Sequence, residues 1–299
     1  MGMTVAEAAD AFLATLDHPE TTGTRRVYGN VLRAVARELG PDTDMDAVTA
    51  GGLGEAFRAR WGTCKPATWN ANRGALNSLL TYCQGQEWIA SADRLMRGIE
   101  GRKIAVDRSR ALSRADIERI LSDPKTPLRD KTLFRMLYET AARSAEVLSL
   151  NIEDLDLKNR RAKVTRKGGA GDVIVWQTGT AVLLPRLAKG RKSGPVFLTD
   201  RKGKGHADGR IAAGDLAPDG RARLSYRQAE DLFKAASGGS TLHQLRHSAL
   251  THDAEEGTST PMLMARSGHT SVRSLAKYAR VSAEALQRHQ EQTDPGRRR

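Results

Sequence analysis

Residues 100–111, EGRKIAVDRSRA, interrupt an otherwise regular pattern: the stretch is polar and basic and carries no apolar stripe at helical spacing. Everything before it reads as helix. Segments 4–16, 24–39, 45–60 and 66–84 each place apolar residues on one helical face, with start signals at Thr4, Thr24, Asp44 and Pro66. Four helices of that length make a small all-α bundle. A new start signal follows at Ser113, in LSRADIERIL. The chain of 299 residues therefore divides into a helical domain over 1–100, a linker over 101–111, a second domain over 112–292 and a basic tail over 293–299.

The second domain mixes periods. LRDKTLFRMLYETAARSAEVLSL reads as a helix that breaks near Thr140 and restarts at Ser144. DLDL, RAKVTR and DVIVW are short strand-like runs separated by Lys158-Asn159-Arg160 and by a glycine-rich turn, the pattern of a three-stranded antiparallel meander. Residues 201–220 have no period and a Gly, Asp and Lys content that predicts a mobile loop. Helices resume at Ser225 and run to about Gln292. The fold class expected is mainly α with a small antiparallel sheet.

Charge is divided as sharply as pattern. The chain has 48 Lys and Arg against 35 Asp and Glu, and residues 1–105 hold 12 of each sign, so the whole excess of +13 belongs to the second segment. A polyanion would be attracted to such a surface, because each phosphate neutralised releases a counterion; a merely solvated surface is the other reading. No run of about 18 apolar residues and no secretory leader pattern is present, which predicts a cytoplasmic chain with no membrane partner. Cys64 and Cys83, in no C-x-x-C pair, read as reduced structural thiols.

Several polar side chains stand out against this background. Arg143 lies among Leu137, Ala141, Ala142, Val147 and Leu148, where a guanidinium needs an anionic partner. Glu146 is one candidate for that partner and a DNA phosphate the other. Lys167 occupies the glycine-rich turn, with Lys163 and Arg166 as competitors for any role there. His243 and Arg246, three apart on a predicted helix, share a face and could grip two oxygens of one phosphate. His243 and His247 are also spaced for a metal, but Gln244 stands where a zinc protease motif needs Glu, so no metal is expected. His269 follows Gly268 at a predicted helix start, where it either caps the helix or meets an anion. Tyr278 follows Leu275 on an amphipathic pattern and is either packed or, with help, nucleophilic: with a phenol pKa near 10, only about one in a thousand is ionised at neutral pH.

Taken in order, these residues resemble the tyrosine recombinases, also called the phage integrase family. The family pattern is Arg in T-G-x-R-x-x-E, a hairpin Lys, H-x-x-R, a G-H pair and a Tyr nine residues later; here it reads Arg143 with Glu146, Lys167, His243 with Arg246, His269 and Tyr278. The resemblance covers 112–285, and ATWNANRGALNSLLTYCQGQEWI in the first domain is similar to the family's helical, SAM-like core-binding domain. The chain departs from the pattern at Ala141 (usually Gly), at Leu242 (usually Pro), in lacking the Arg often found soon after the hairpin lysine, and in the length of its 201–220 connection.

The resemblance implies a cofactor-free DNA strand transferase that passes through a 3′-phosphotyrosyl intermediate and a Holliday junction. Tyr278 would be the nucleophile, Arg143, Arg246 and His269 the oxyanion donors, His243 the proton acceptor and Lys167 the acid for the leaving oxygen. It further implies double-stranded DNA with short core sites in inverted repeat, a homotetramer on two duplexes, accessory DNA-bending factors and a place at the nucleoid. Arg25, Arg26, Lys65 and Arg73 are the expected DNA contacts of the first domain. A catalytically silent DNA-binding protein and a type IB topoisomerase-like enzyme are the alternative readings.

Overall fold

The computed structural model describes residues 2–18, 21–104, 111–166, 169–202, 212–275, 286–287, 290–291 and 293–294. It consists of two compact units, Met1–Val106 and Asp107–Arg299.

The first unit is helical: α1 (Val5–Ala14), α2 (Thr22–Leu39), α3 (Ala50–Trp61), α4 (Pro66–Gly85) and the short α5 (Ala92–Leu95). Thr4 begins α1 with a reciprocal cap, its hydroxyl accepting from Glu7 N while Glu7 accepts from Thr4 N. The hydrogen bonds from Thr4 hold the Glu7 carboxyl below its ordinary range. The helix expected over 45–60 starts later. Met45–Ala47 forms a single 3-10 turn, and Thr49, accepting from Gly52 N, is the true N-cap of α3. Phe12, Leu32, Leu53, Phe57, Trp69, Leu76, Leu80 and Ile99 fill the core, with Phe57 edge-on to Trp69 at 4.8 Å between ring centroids. The segment after α5 is fastened along α4. Trp69 Nε1 donates to Glu100 O (2.8 Å), Asn70 exchanges two bonds with the Arg102 backbone, and the Arg102 guanidinium stacks 3.7 Å above the Trp69 ring while donating to Cys64 O and Gly62 O. The opening residues of the expected linker thus belong to the first unit's packing; residues 105–110 lie outside those described.

The second unit is built on α7 (Leu128–Thr140), whose Leu133, Phe134, Met136 and Leu137 are buried. Around it lie α6 (Arg114–Ser122), the short α8 (Ser144–Leu148), α9 (Thr178–Ala188), α10 (Tyr226–Ser237), α11 (Leu242–Glu255), α12 (Thr260–Ser267) and α13 (Val272–Leu275). Phe134 meets Phe233 of α10 edge to face at 5.0 Å. Strands β1 (Leu155–Asp156), β2 (Arg161–Thr165) and β3 (Gly171–Val175) form the expected antiparallel meander, with Ala162 opposite Ile174 and Val164 opposite Asp172. Alternation puts Ala162 and Val164 inward and leaves Lys163 and Thr165 outward.

Part of the stretch expected as a loop is ordered. Residues β4 (Leu198–Lys202) and β5 (Arg221–Arg223) pair antiparallel across it, and Arg223 ties β5 to Leu148 O, Leu150 O, Asn151 and Asp215. The pairing joins residues far apart in sequence, so no local period announces it. Residues 203–211 lie outside those described.

Candidate functional site

The site is assembled where α7 stops. Ala141 takes the left-handed conformation (φ 51°) after Thr140, a turn that costs a non-glycine residue about 1–2 kcal/mol. The turn is held from two sides: Ala142 N donates to Thr140 Oγ1 (3.2 Å), and Ala141 O accepts a short bond from Arg246 Nη1. The chain then re-enters a helix with Arg143 at the N-cap of α8.

Glu146, three residues into that turn, reaches back with both oxygens. Oε2 accepts from Arg143 N and Oε1 from Arg143 Nη1, each at 2.8 Å. Of the two partners considered for Arg143, the local one, Glu146, is thus in place. It does not bury the arginine: the Arg143 side chain is 39% exposed, whereas that of Glu146 is 4% exposed. Arg143 Nη2 also donates to Gly268 O at 3.3 Å, which joins α8 to the end of α12.

That end is a left-handed glycine cap. Gly268 (φ +63°) donates to Met264 O at 2.8 Å, and His269 follows it. His269 Nδ1 lies 2.6 Å from Ser267 Oγ, and the Ser267 hydroxyl donates to Leu263 O at 2.6 Å. A hydroxyl that donates to Leu263 O accepts from Nδ1, and one turned toward the ring donates to it, so the contact itself is compatible with either tautomer. Ser267 O in turn accepts from Arg246 Nη2 at 2.7 Å.

Arg246 is buried, at 6% exposure, and it clamps the end of α7 to the end of α12 through Ala141 O and Ser267 O. His243, one turn earlier on α11, is exposed; the two residues expected to share a face thus have very different access to solvent. His247 Nδ1 pairs locally with Thr251 Oγ1 (3.2 Å), and among the described residues no group of His, Cys, Asp and Glu is placed to hold a metal ion.

The structure thereby brings Arg143, Glu146, Arg246 and His269 into one hydrogen-bonded corner. Lys167 and Tyr278 lie outside the described residues. The hairpin that carries position 167 is closed by Arg166 N donating to Ala170 O at 2.8 Å. Helix α13 is described as far as Leu275, and Tyr278 lies three residues further along the sequence.

Two participants were not singled out by sequence. Arg166, named only as a competitor of Lys167, is 8% exposed and donates from Nη1 to Glu146 Oε2 (2.8 Å) and from Nε to Asp172 Oδ2 (2.7 Å). Burial pushes the Asp172 carboxyl up, but the bonds from Arg166 and Val173 N outweigh it and leave the carboxyl below its ordinary value. Gly268, read in sequence only as the residue before His269, is the second: a Cβ there would fall 2.5 Å from Arg166 Cζ, so any side chain would have to displace the guanidinium. The signal available for Arg166 was its place at the end of β2 with an acid on the opposite strand.

In the first unit the expected contacts divide. Arg26 and Lys65 are exposed. Arg25 pairs with Asp17 (3.1 Å) and donates to Leu13 O, and Arg73 donates to Ile99 O at 2.6 Å. Two arginines that went unremarked, Arg37 and Arg60, line a cleft of about 450 Å³ with Asn30, Trp61 and Asn72.

The phage integrase family model matches residues 110–285, which hold the mainly helical unit with its three-stranded meander and the cationic corner where α7, α8, α11 and α12 meet. The chain belongs to the phage integrase family. The tyrosine recombinase XerC of Mycobacterium sp. (strain KMS) is 27% identical over 315 residues, covering 97% of this chain and 98% of the relative. The tyrosine recombinase XerC of Bifidobacterium longum (strain DJO10A) is 30% identical over 205 residues, 64% of this chain; the match spans about half, 54%, of that relative's length. Among solved structures, the Tn1549 transposon integrase in complex with circular intermediate DNA has a TM-score of 0.70 at 18% identity, covering 96% of this chain and 99% of that one. A lambda integrase dimer bound to a COC′ core site has a TM-score of 0.70 at 16% identity, covering 94% and 97%. Both are likenesses of fold. Among the described residues no helix is long and apolar enough to cross a membrane.

Proposed function

We propose that this protein is a site-specific DNA strand transferase that cleaves and rejoins DNA through Tyr278. The observation that carries this reading is the half-exposed Arg143 guanidinium, held by a buried carboxylate beside the Gly268-His269 corner within a family-matched domain. A cation fixed in that way is preorganised for charge that develops on a phosphoryl oxygen, and losing one such donor typically costs about 10²–10³ in rate.

In the proposed step the Tyr278 Oη forms a bond to phosphorus while the bond from phosphorus to the 5′-oxygen breaks, leaving a 3′-phosphotyrosyl diester. The phenolic proton passes to His243, which is exposed and able to receive it, and Lys167 gives a proton to the departing 5′-oxygen. A 5′-hydroxyl of the partner strand then reverses the step on new DNA. One phosphodiester is exchanged for another, so neither water nor a nucleotide cofactor is consumed. His269, with its Nδ1 2.6 Å from Ser267 Oγ, donates to a phosphoryl oxygen from Nε2. Arg246, almost fully buried, lends its charge to the same corner and fixes the backbone around it.

The partner is double-stranded DNA with short core sites in inverted repeat, engaged by four copies on two duplexes through a Holliday junction, with accessory bending factors where the sites require them. The basic excess of the second segment supports that partner. In the first unit Arg26 and Lys65 contact the backbone, joined by Arg25 and Arg73 once these give up their internal partners. The protein acts in the cytoplasm, at the nucleoid.

Covalent capture tests the reading: full-length wild type and Tyr278→Phe are incubated with fragmented source DNA, denatured in detergent, and the attached DNA is sequenced. Wild type should retain a few inverted-repeat sites and the variant none. Equal recovery from both, or none from wild type that binds DNA, contradicts the proposal.

A further inference from the structure

We propose that Arg166 is a positioning residue that keeps Arg143 available to the phosphate by neutralising the carboxylate both of them hold. The inference rests on the strand-transfer reading above. Glu146 is buried at 4% exposure and lies within hydrogen-bond reach of two guanidinium groups, Arg143 through Oε1 and Arg166 through Oε2. With Arg143 alone, the carboxylate would cancel the charge that a phosphate needs. With Arg166 added, two cations share Glu146, and Asp172, the 42% exposed second partner of Arg166, offsets only part of the positive charge left over. The geometry decides where it is expressed: Arg166 is sealed at 8% exposure, Arg143 is 39% exposed, so the surplus faces outward through Arg143.

Three further features hold Arg166 in that place. Asp172, itself 42% exposed and so open to screening by solvent, takes Nε at 2.7 Å. Ser267 O lies 3.5 Å from Nη1, and the guanidinium fills the space that any side chain at position 268 would occupy. Its Nη2 is buried with no hydrogen-bond partner among the described residues, an expense not justified by a surface ion pair alone. A buried guanidinium placed there at such cost, on the carboxylate that orients the exposed one, is accounted for by tuning Arg143.

The discriminating experiment compares wild type, Arg166→Gln, Glu146→Gln and the double variant Arg166→Gln/Glu146→Gln in single-turnover adduct formation on a DNA site recovered by covalent capture. Arg166→Gln should bind that DNA as wild type does but form adduct about tenfold or more slowly, part of the loss expected when a preorganised donor is compromised. Removing the carboxylate's charge should then restore rate, so the double variant should outrun Arg166→Gln. If Arg166→Gln is too unstable to assay, the double variant carries the test: it should fold and react within about tenfold of Glu146→Gln. A wild-type rate for Arg166→Gln overturns the inference. So does a double variant no faster than Arg166→Gln, because a scaffold role gains nothing from loss of the carboxylate. Failure of wild type itself to form adduct would instead refute the strand-transfer reading.

Discussion

Replacing Gly268 with alanine probes the corner at its tightest point. Two costs are superposed there. The left-handed backbone (φ +63°) penalises any Cβ by about 1 kcal/mol. The new methyl would also lie 2.5 Å from Arg166 Cζ and 2.6 Å from Nη1, closer than nonbonded atoms approach, and must drive the guanidinium from Glu146. Disturbing a buried charge pair costs about 3 kcal/mol or more, so Gly268→Ala should lose about 4 kcal/mol in all. Gly238 supplies the control. It caps α10 in the same conformation (φ +72°), with nothing among the described residues within 4 Å of its hypothetical Cβ, so Gly238→Ala should lose only the backbone part, about 1 kcal/mol. Denaturant unfolding of the full chain, followed by a probe of the second unit, measures both. Removing the obstacle should make the costs non-additive: Gly268→Ala should be milder in an Arg166→Ala background than in wild type. A Gly268→Ala chain no less stable than Gly238→Ala would refute the close-approach argument and with it the claimed placement of Arg166.

Two further expectations follow from groups behind the site. Glu139, 5% exposed, caps α9 from outside by accepting from Gln177 N (3.0 Å) and Thr180 N (3.1 Å), so Glu139→Ala should lose about 2 kcal/mol or more in denaturant unfolding and Glu139→Gln, which keeps an acceptor, distinctly less; equal losses would contradict the capping role. Burial holds the His252 imidazole below its ordinary value of 6.5, with Arg114 adding to the effect, while its Nδ1 meets Tyr138 Oη at 2.7 Å. Below pH 6.5 the unfolded chain takes up a proton that the folded ring resists, so this contribution to stability is complete above 6.5 and lost as pH falls through the lowered folded value. Neighbouring Asp253, which burial pushes above 3.8, works in the opposite direction as pH falls toward that range. Thermal unfolding of wild type and His252→Gln over mildly acidic pH separates the two, and the wild-type decline should flatten in the variant.

The meander was legible in sequence because its strands alternate and its turns are spelled in Gly, Asn and Lys, which fixes which of Ala162, Val164 and Ile174 face inward. Arg143 with Glu146 was legible because the pair is local. Arg166 was not, since its partners Glu146, Ser267 and Gly268 come from elements distant in sequence and only the fold brings them together. The β4–β5 pairing escaped for a similar reason: it spans a long glycine-rich stretch and rests on Arg223 rather than on an apolar period. The start of α3 moved because Thr49 caps Gly52 N, a better start than Asp44 for a segment that opens with Gly51 and Gly52. Arg25 and Arg73 looked like surface cations in sequence, yet each had a backbone carbonyl within reach.

The claim that Tyr278 is the nucleophile is tested most directly by mapping the adduct. DNA-bound protein from the capture reaction is digested with nuclease and trypsin, and the peptides are read by mass spectrometry. Cleavage after Lys277 and Arg280 releases Tyr278-Ala279-Arg280, and this peptide should carry a nucleotide joined to the phenol through its 3′-phosphate. A nucleotide on any other residue, or an unmodified Tyr278 peptide from protein that remains attached to DNA, would contradict the account.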